Sequence, residues 1–414
     1  MDENREINVI REGTRGQKIL ERQRVEKNRK IGFTMIIVFV LIAMVIAYQT
    51  RSFNTYEELT STPSSEGTKV QFAVYGKGYL RYSKDGISYL DQKEKLIWTE
   101  AYTMEEPTIS IKEEFAVLAE LSGNDVHLYN EEGKVGDYSM SYPIKKVFAA
   151  EQGVFCVLLD GDTANYIQLY DKKGNMLAEI KTQIDNSGKG YPLDLAISPD
   201  GSKMAVSLYR VEGIDSKNTL AFYNFGDGGK GQDGNLVGTY DFEDTLIPKV
   251  EFMEDDIVYA VGSDRTIIYK MKEKPKKVRE LTFDGEIMSV FSDENHMGYI
   301  CQNKEEEVVS GEKKTYQTYI YNENGKLVKS FDKDELHDTV LLTDDYIISY
   351  SAGICVVENT NGKEIFRQDM GENIIDILPT SKSTELLFVY GSRSSRIRMK
   401  NTISQKESEV DIAK

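Results

Sequence analysis

Two patterns of apolar positions divide this chain. The first is an unbroken run from Ile31 to Tyr48 with no charged residue, in which Ile, Val, Met and Phe fall on every side of a helix. At about 1.5 Å per residue it covers roughly 27 Å, the depth of a hydrocarbon core. A soluble helix keeps a polar stripe, so the run predicts a transmembrane helix over 31–48. A cleaved signal peptide fits less well, because 30 residues precede the run and signal cores span only about 7–15 residues. The second pattern fills the chain past Tyr48. Short stretches rich in Tyr, Val, Ile and Phe alternate with turn residues, and no sustained helical period appears. That is an all-β signature.

The strand pattern repeats. An apolar strand, a turn and a second strand recur at Tyr129-Asn-Glu-Glu-Gly133, Tyr170-Asp-Lys-Lys-Gly174, Tyr321-Asn-Glu-Asn-Gly325 and Glu358-Asn-Thr-Asn-Gly362, with a degenerate copy at Leu90-Asp-Gln-Lys-Glu94. The steps from 94 to 133, 133 to 174 and 325 to 362 are 39, 41 and 37 residues. Gly supplies the positive φ that such a turn requires. In step with this element, Pro107, Pro143, Pro192 and Pro248 each open an apolar run, a place where a strand tolerates proline. Each run leads through a turn to a more continuous apolar strand, such as Val154 to Leu159 or Met204 to Leu208; in the fourth unit the turn is Ser198-Pro-Asp-Gly201.

Four strands in about 40 residues is the period of a propeller blade. Units starting near residues 69, 107, 143, 192, 247, 286, 338 and 374 predict eight blades, with seven as the alternative. The last unit offers three strands, Ile374–Leu378, Leu386–Tyr390 and Arg396–Lys400. Its fourth is expected from Tyr56–Thr62, which would close the ring and remove an exposed sheet edge. The expected organisation is therefore a basic arm over 1–30, the helix over 31–48, a linker with the ring-closing strand over 49–68, the propeller over 69–402 and a flexible tail over 403–414.

Charge orients this arrangement. Arg15, Lys18, Arg22, Arg24, Lys27, Arg29 and Lys30 precede the apolar run against Glu21 and Glu26, and Glu57 and Glu58 follow it. Positive flanks stay inside, so the arm is expected in the cytoplasm and the propeller outside. Residues 1–48 hold nine Lys/Arg against six Asp/Glu, so the chain's net −17 leaves −20 on the remainder. Such a domain lacks the cations that nucleic acid requires. Cys156, Cys301 and Cys355 lie inside apolar strands, and an odd number cannot form a full disulfide framework. They read as buried thiols.

The sequence also resembles an uncharacterised family, a domain of unknown function, of single-pass membrane proteins from anaerobic Gram-positive bacteria. The resemblance is carried by Gly86-Ile-Ser-Tyr-Leu-Asp91, Asn165-Tyr-Ile-Gln-Leu-Tyr-Asp171, Gly190-Tyr-Pro-Leu-Asp-Leu-Ala-Ile-Ser-Pro-Asp-Gly201, Ala221-Phe-Tyr-Asn-Phe-Gly226, Val250-Glu-Phe252 and Ile268-Tyr-Lys-Met-Lys-Glu-Lys-Pro275. It spans most of residues 52–400 and implies a quinoprotein-like or WD40-like propeller. It implies no activity and no catalytic residue.

Candidate chemistry is sparse. His127, His296 and His337 fall in units 2, 6 and 7 with no shared motif, and no Gly-x-Ser-x-Gly elbow occurs. Gly226-Asp-Gly-Gly-Lys-Gly231 matches a dinucleotide fingerprint only formally, since it opens no helix; it reads as a long loop of the fourth blade. Ser310 to Lys314 reads as an exposed hairpin tip, and Lys272 to Lys277 as a basic turn. The carboxylates at Glu254–Asp256, Asp160–Asp162 and Asp344–Asp345 read first as turn caps. They would serve glycoside hydrolysis or hold Ca²⁺ only if they converged. A quinone-dependent dehydrogenase would need an aromatic stacked in the channel, and Trp98 reads as an outer-strand residue. No catalytic, cofactor-binding or metal residue is assigned. The expected function is a non-catalytic module at the cell surface that binds or scaffolds a protein or an envelope glycan, anchored in the membrane by one helix and without a nucleic-acid partner. The alternative is a propeller glycan hydrolase or lyase using channel carboxylates.

Overall fold

The structure is a computed structural model and describes residues 33–41, 43, 50–64, 69–183, 190–212, 215–303, 308–309, 312–313 and 316–401. The chain divides into two units, 1–52 and 53–414. In the first, residues 33–41 are helical, and Phe33, Met35, Ile36 and Phe39 are all more than 60% exposed. Among the described residues no helix is long and apolar enough to cross a membrane. The rest of the expected span, the arm over 1–30 and the tail over 403–414 lie outside the described residues.

The second unit is an all-β propeller of eight four-stranded antiparallel blades. The strands of each blade are named A to D here, in the order in which they pair. The A strands open at Gln71, Pro107, Ile144, Tyr191, Lys249, Glu286, Thr339 and Ile374, close to the expected unit starts. The A strands of neighbouring blades also pack against one another, which sets them at the centre of the ring.

Local chemistry explains why the repeat folds this way. In the C–D turn an Asp or Asn side chain accepts the backbone N–H groups two and four residues on. Asp171 Oδ1 takes those of Lys173 and Asn175 at 2.8 and 2.9 Å, and Asn322, Asn359 and Asp91 repeat the pattern. Gly174, Gly325 and Gly362 then adopt φ of 69–80°, a region nearly closed to residues with a Cβ. Glu94 takes φ 63° in the degenerate copy. A register shift follows each of these turns, as at Leu169/Tyr170 and Val357/Glu358. The bulge increases the local twist and sweeps the D strand outward.

The core lies between blades. B strands are covered on both faces, so Phe155–Leu159 and Ile257–Val261 are buried throughout and read as continuous apolar runs. One cluster joins Cys156, Leu158 and Ile167 of blade 3 to Leu195, Met204 and Val206 of blade 4. Another joins Leu378, Leu387 and Val389 of blade 8 to Phe72, Tyr79 and Leu90 of blade 1, completing the circle.

Blade 8 takes its D strand from the start of the chain. Thr55–Pro63 pairs antiparallel with Arg393–Lys400, from Thr55↔Lys400 to Pro63↔Arg393. This is the expected ring closure, one residue longer at each end. The last C strand begins at Arg393 rather than Arg396, because pairing with the closing strand extends its ladder. Cys156, Cys301 and Cys355 are buried and free, as expected, and burial pushes each thiol up to about 12.

Candidate functional site

An up-and-down blade places its A–B and C–D turns on one face and its B–C turns on the other. The A–B turns ring the central mouth of the first face. From blade 2 to blade 7 every one of them carries a carboxylate: Glu113 and Glu114, Glu151, Asp200, Asp255 and Asp256, Asp293 and Glu294, Asp344 and Asp345. In blades 1 and 8 the charge is a lysine instead, Lys77 and Lys382. The mouth opens into a cavity of about 1120 Å³ reached by the turns of blades 1 to 6. Among the described residues that line it, Lys112 is the one cation. A second cavity of about 550 Å³ adjoins it through Val74, Asp293 and Glu294 and extends to blades 7 and 8.

The carboxylates are held rather than splayed. The Asp200 backbone N–H donates to Asp255 Oδ1 across blades 4 and 5 at 2.9 Å. Ser202 donates to Asp200 through both its N–H and its hydroxyl. Lys203, 8% exposed, places its Nζ 3.3 Å from Asp256 and 3.8 Å from Asp200. Burial alone would raise the Asp200 carboxyl, but hydrogen bonds from Ser198 and Ser202 outweigh it and hold the group below its ordinary range. Ser292 donates to Glu251 at 2.6 Å. Glu151 goes the other way. Burial, then the charges of Glu113, Asp255 and Asp200, push its carboxyl up against the opposing pull of Lys112. Carboxylates from four blades therefore act on one another at the mouth.

Glu254–Asp256 and Asp344–Asp345 come to this face, whereas Asp160–Asp162 lies in the B–C turn of blade 3 on the opposite one, with Asp160 2.9 Å from Lys145. Sequence reading missed Glu113, Glu151, Asp200 and Asp293; their shared signal is the A–B turn position in each repeat. The histidines stay apart. His127 pairs with Asp137 and stacks on Tyr102, His296 lies 3.1 Å from Asp293, and His337 is buried in the segment leading into blade 7. Among the described residues no group of three or more His, Cys, Asp or Glu can hold a metal ion. The glycine-rich segment is the expected blade 4 loop, with short turns at Asp227–Gly229 and Asp233–Asn235, and it packs on blade 5 through Asn224 and Glu273. Val308–Val309 pairs antiparallel with Glu312–Lys313, while Ser310, Gly311 and Lys314 of the expected tip lie outside the described residues. The basic segment turns at 272–274 and then enters the outer strand Pro275–Thr282. Trp98 sits on an outer strand, stacked on Tyr129 with ring centres 5.5 Å apart.

Solved structures share this architecture at low identity. BamB from Moraxella catarrhalis matches with a TM-score of 0.51 at 13% identity, over 83% of this chain and 100% of that one. Sqt1 from Chaetomium thermophilum, solved bound to the N-terminus of the ribosomal protein L10, gives 0.51 at 10% identity over 83% and 98%. The WD40 domain of SCAP from fission yeast gives the same values. These likenesses concern the fold alone. No curated protein matches the sequence. Residues 49–399 match the model of the family of unknown function DUF5711, and the chain belongs to that family.

Proposed function

We propose that this protein is a membrane-anchored, outward-facing propeller that acts as a non-catalytic docking module for a protein partner, engaged through a cationic segment at the acidic mouth. The observation that carries this reading is the mouth itself: broad, open, and lined by fixed carboxylates from successive blades. Such a surface suits an extended segment bearing Lys or Arg, because charge of one sign steers a partner of the other and rejects like-charged ones. The anchor rests on the apolar run over 31–48, with a basic flank before it and exposed apolar side chains in its described part. Sqt1, which shares the fold, is a propeller solved with a protein segment bound.

In-cell cross-linking of the tagged full-length protein, followed by mass spectrometry, tests the reading. The control is a form lacking residues 1–48 and exported by a cleavable signal. A reproducible partner cross-linked at the A–B turns supports it; partners confined to the opposite face, or none, overturn it.

A second reading is a glycan hydrolase, favoured by the raised carboxyl of Glu151 among other carboxylates. A general acid requires such a raised group. Turnover of envelope glycan that disappears in Glu151→Gln would select it; turnover unchanged in that variant would exclude Glu151 as the acid.

A further inference from the structure

The B–C hairpin of blade 4 breaks the repeat. Its strands, Lys203–Glu212 and Asp215–Asn224, have 10 residues each. The other B strands have five to seven, and the other C strands six to eight. The inner strand of the blade meets the hairpin first at Tyr191↔Tyr209, and the outer strand leaves it at Phe242↔Asn218. The three rungs from Arg210↔Lys217 to Glu212↔Asp215 therefore stand beyond both neighbours, on the face opposite the acidic mouth.

A cavity of about 340 Å³ opens at the foot of this hairpin, within the size range of small-ligand pockets. One wall is the hairpin itself, through Tyr209, Ser216 and Asn218; the other is Phe242 and the segment 243–246 that leads on to blade 5. The Asn218 amide is locked in place: it donates to Ser207 and to the Leu208 carbonyl and accepts the Ile247 N–H. The lining is of two kinds. Tyr209, Phe242 and Leu246 offer apolar surface, and Leu246 is 44% exposed. Glu243, Asp244 and Thr245 offer polar groups. Among the described residues Glu243 enters no hydrogen bond or ion pair. Thr245 is 6% exposed, and its hydroxyl has no hydrogen-bond partner among them. A buried hydroxyl left unbonded is costly, and a ligand hydroxyl at this wall supplies the missing bond.

Aromatic rings continue along the same face toward blade 3. Tyr191, opposite Tyr209 in the ladder, is 37% exposed, and Lys145 of blade 3 donates to its hydroxyl at 2.8 Å. Lys145 also pairs with Asp160 at the B–C turn of blade 3. Tyr142 and Tyr166 stack against that turn at Gly161, with ring centres 4.7 Å apart.

We infer that this face binds a neutral glycan chain, with one pyranose ring seated in the blade 4 cavity and the next units running over Tyr191 toward Tyr142 and Tyr166. A pyranose presents C–H bonds on its faces and hydroxyls around its edge. The C–H face packs on Tyr209, Phe242 and Leu246, where the negative face of an aromatic ring attracts polarised hydrogens. The hydroxyls donate to Glu243 and Asp244, which as carboxylates only accept, and one meets Thr245. The same carboxylates repel sulfate, phosphate and uronic-acid groups. Because the mouth lies on the opposite face, one ring can hold a glycan and a protein partner together.

The full-length chain in neutral detergent micelles, applied to an array of neutral glucans, galactans, mannans and N-acetylhexosamine chains beside sulfated and uronic-acid chains, tests this. Neutral chains should be retained and anionic ones not. Affinity for the tightest neutral tetrasaccharide, measured by calorimetry, should fall roughly tenfold or more in Leu246→Arg and in Glu243→Lys. Both side chains are exposed, so parent-like melting of these variants separates lost binding from lost fold. Tyr191→Ala should weaken the tetrasaccharide and spare the monosaccharide. Glu113→Gln combined with Glu114→Gln, at the mouth, should leave glycan affinity unchanged. No neutral chain retained, a preference for anionic chains, or affinity indifferent to both cavity variants overturns the inference. Loss of binding in the mouth variant overturns it by placing the glycan at the mouth.

Discussion

Lys333 and Glu358 form a buried ion pair across the boundary between blades 6 and 7, with Nζ 2.6 Å from Oε2. Both residues are less than 10% exposed, and Lys333 also donates to the fully buried Ser349 at 3.0 Å. Removing one partner strands the other charge in the interior. Lys333→Met should therefore destabilise the propeller by about 3–5 kcal/mol, whereas Lys333→Met combined with Glu358→Leu should recover most of that loss. Urea denaturation of the two variants decides it; equal losses would mean that the pair does not interact as drawn.

Arg393 fastens the closing strand. Its guanidinium reaches Glu58 of that strand at 2.6 Å and Glu372 at 2.8 Å, and it lies over the ring of Tyr390. The Glu58 carboxyl is held below its ordinary value: burial would raise it, but Ser395, Ser61 and Arg393 outweigh burial. Glu58 is well exposed, so solvent screening limits Arg393→Ala to a loss of about 0.5–1 kcal/mol at pH 7. A depressed carboxyl stabilises above its unfolded value, and this contribution fades as pH falls through the folded one. The gap between variant and parent should accordingly narrow below about pH 4.5. A gap independent of pH would show that Arg393 acts through packing alone.

The three thiols offer a direct probe of ring integrity. Burial raises each to about 12, and a thiol is nucleophilic only as thiolate. Folded protein should leave Cys156, Cys301 and Cys355 unmodified by a disulfide reagent at pH 8, and unfolding in guanidinium should expose all of them. Mass spectrometry of the folded sample counts the adducts, and any fast-reacting thiol would place a blade boundary open.

Glu151 is expected to oppose folding at neutral pH. Its carboxyl is raised by burial and by the charges of Glu113, Asp255 and Asp200. That penalty is absent while the group is protonated and sets in as pH rises through the carboxylate range. Glu151→Gln should therefore melt roughly a degree higher at pH 7 and equally near pH 4. A lower melting point at pH 7 would reverse the assignment.

Much of the ring was legible because its repeat is written in local chemistry. Asp171 and Gly174 encode a turn with their own side chain and φ, Pro107 marks the start of a strand, and Phe155 to Leu159 announce a strand covered on both sides. Even the closing strand showed, since a last blade with three strands demands a fourth. The mouth was far less legible. Glu254–Asp256 advertises itself by local density, but Glu113, Glu151 and Asp200 belong to one surface only because successive blades turn them toward a common axis. Lys333 and Glu358 meet across 25 residues and a blade boundary, with no local pattern to announce them.

The pairing of Thr55 with Lys400 also sets an order of events. The strand that seals the ring is the first part of the propeller to be made, and its partner is the last. Until Arg393–Lys400 emerges, Thr55–Pro63 has a row of backbone donors and acceptors with no ladder to join. Every other blade can form from contiguous chain as synthesis proceeds. Closure alone must wait for the final strand, so a product ending before Arg393 holds seven potential blades and an open ring. The completed circle is thereby a built-in readout that synthesis has passed Lys400.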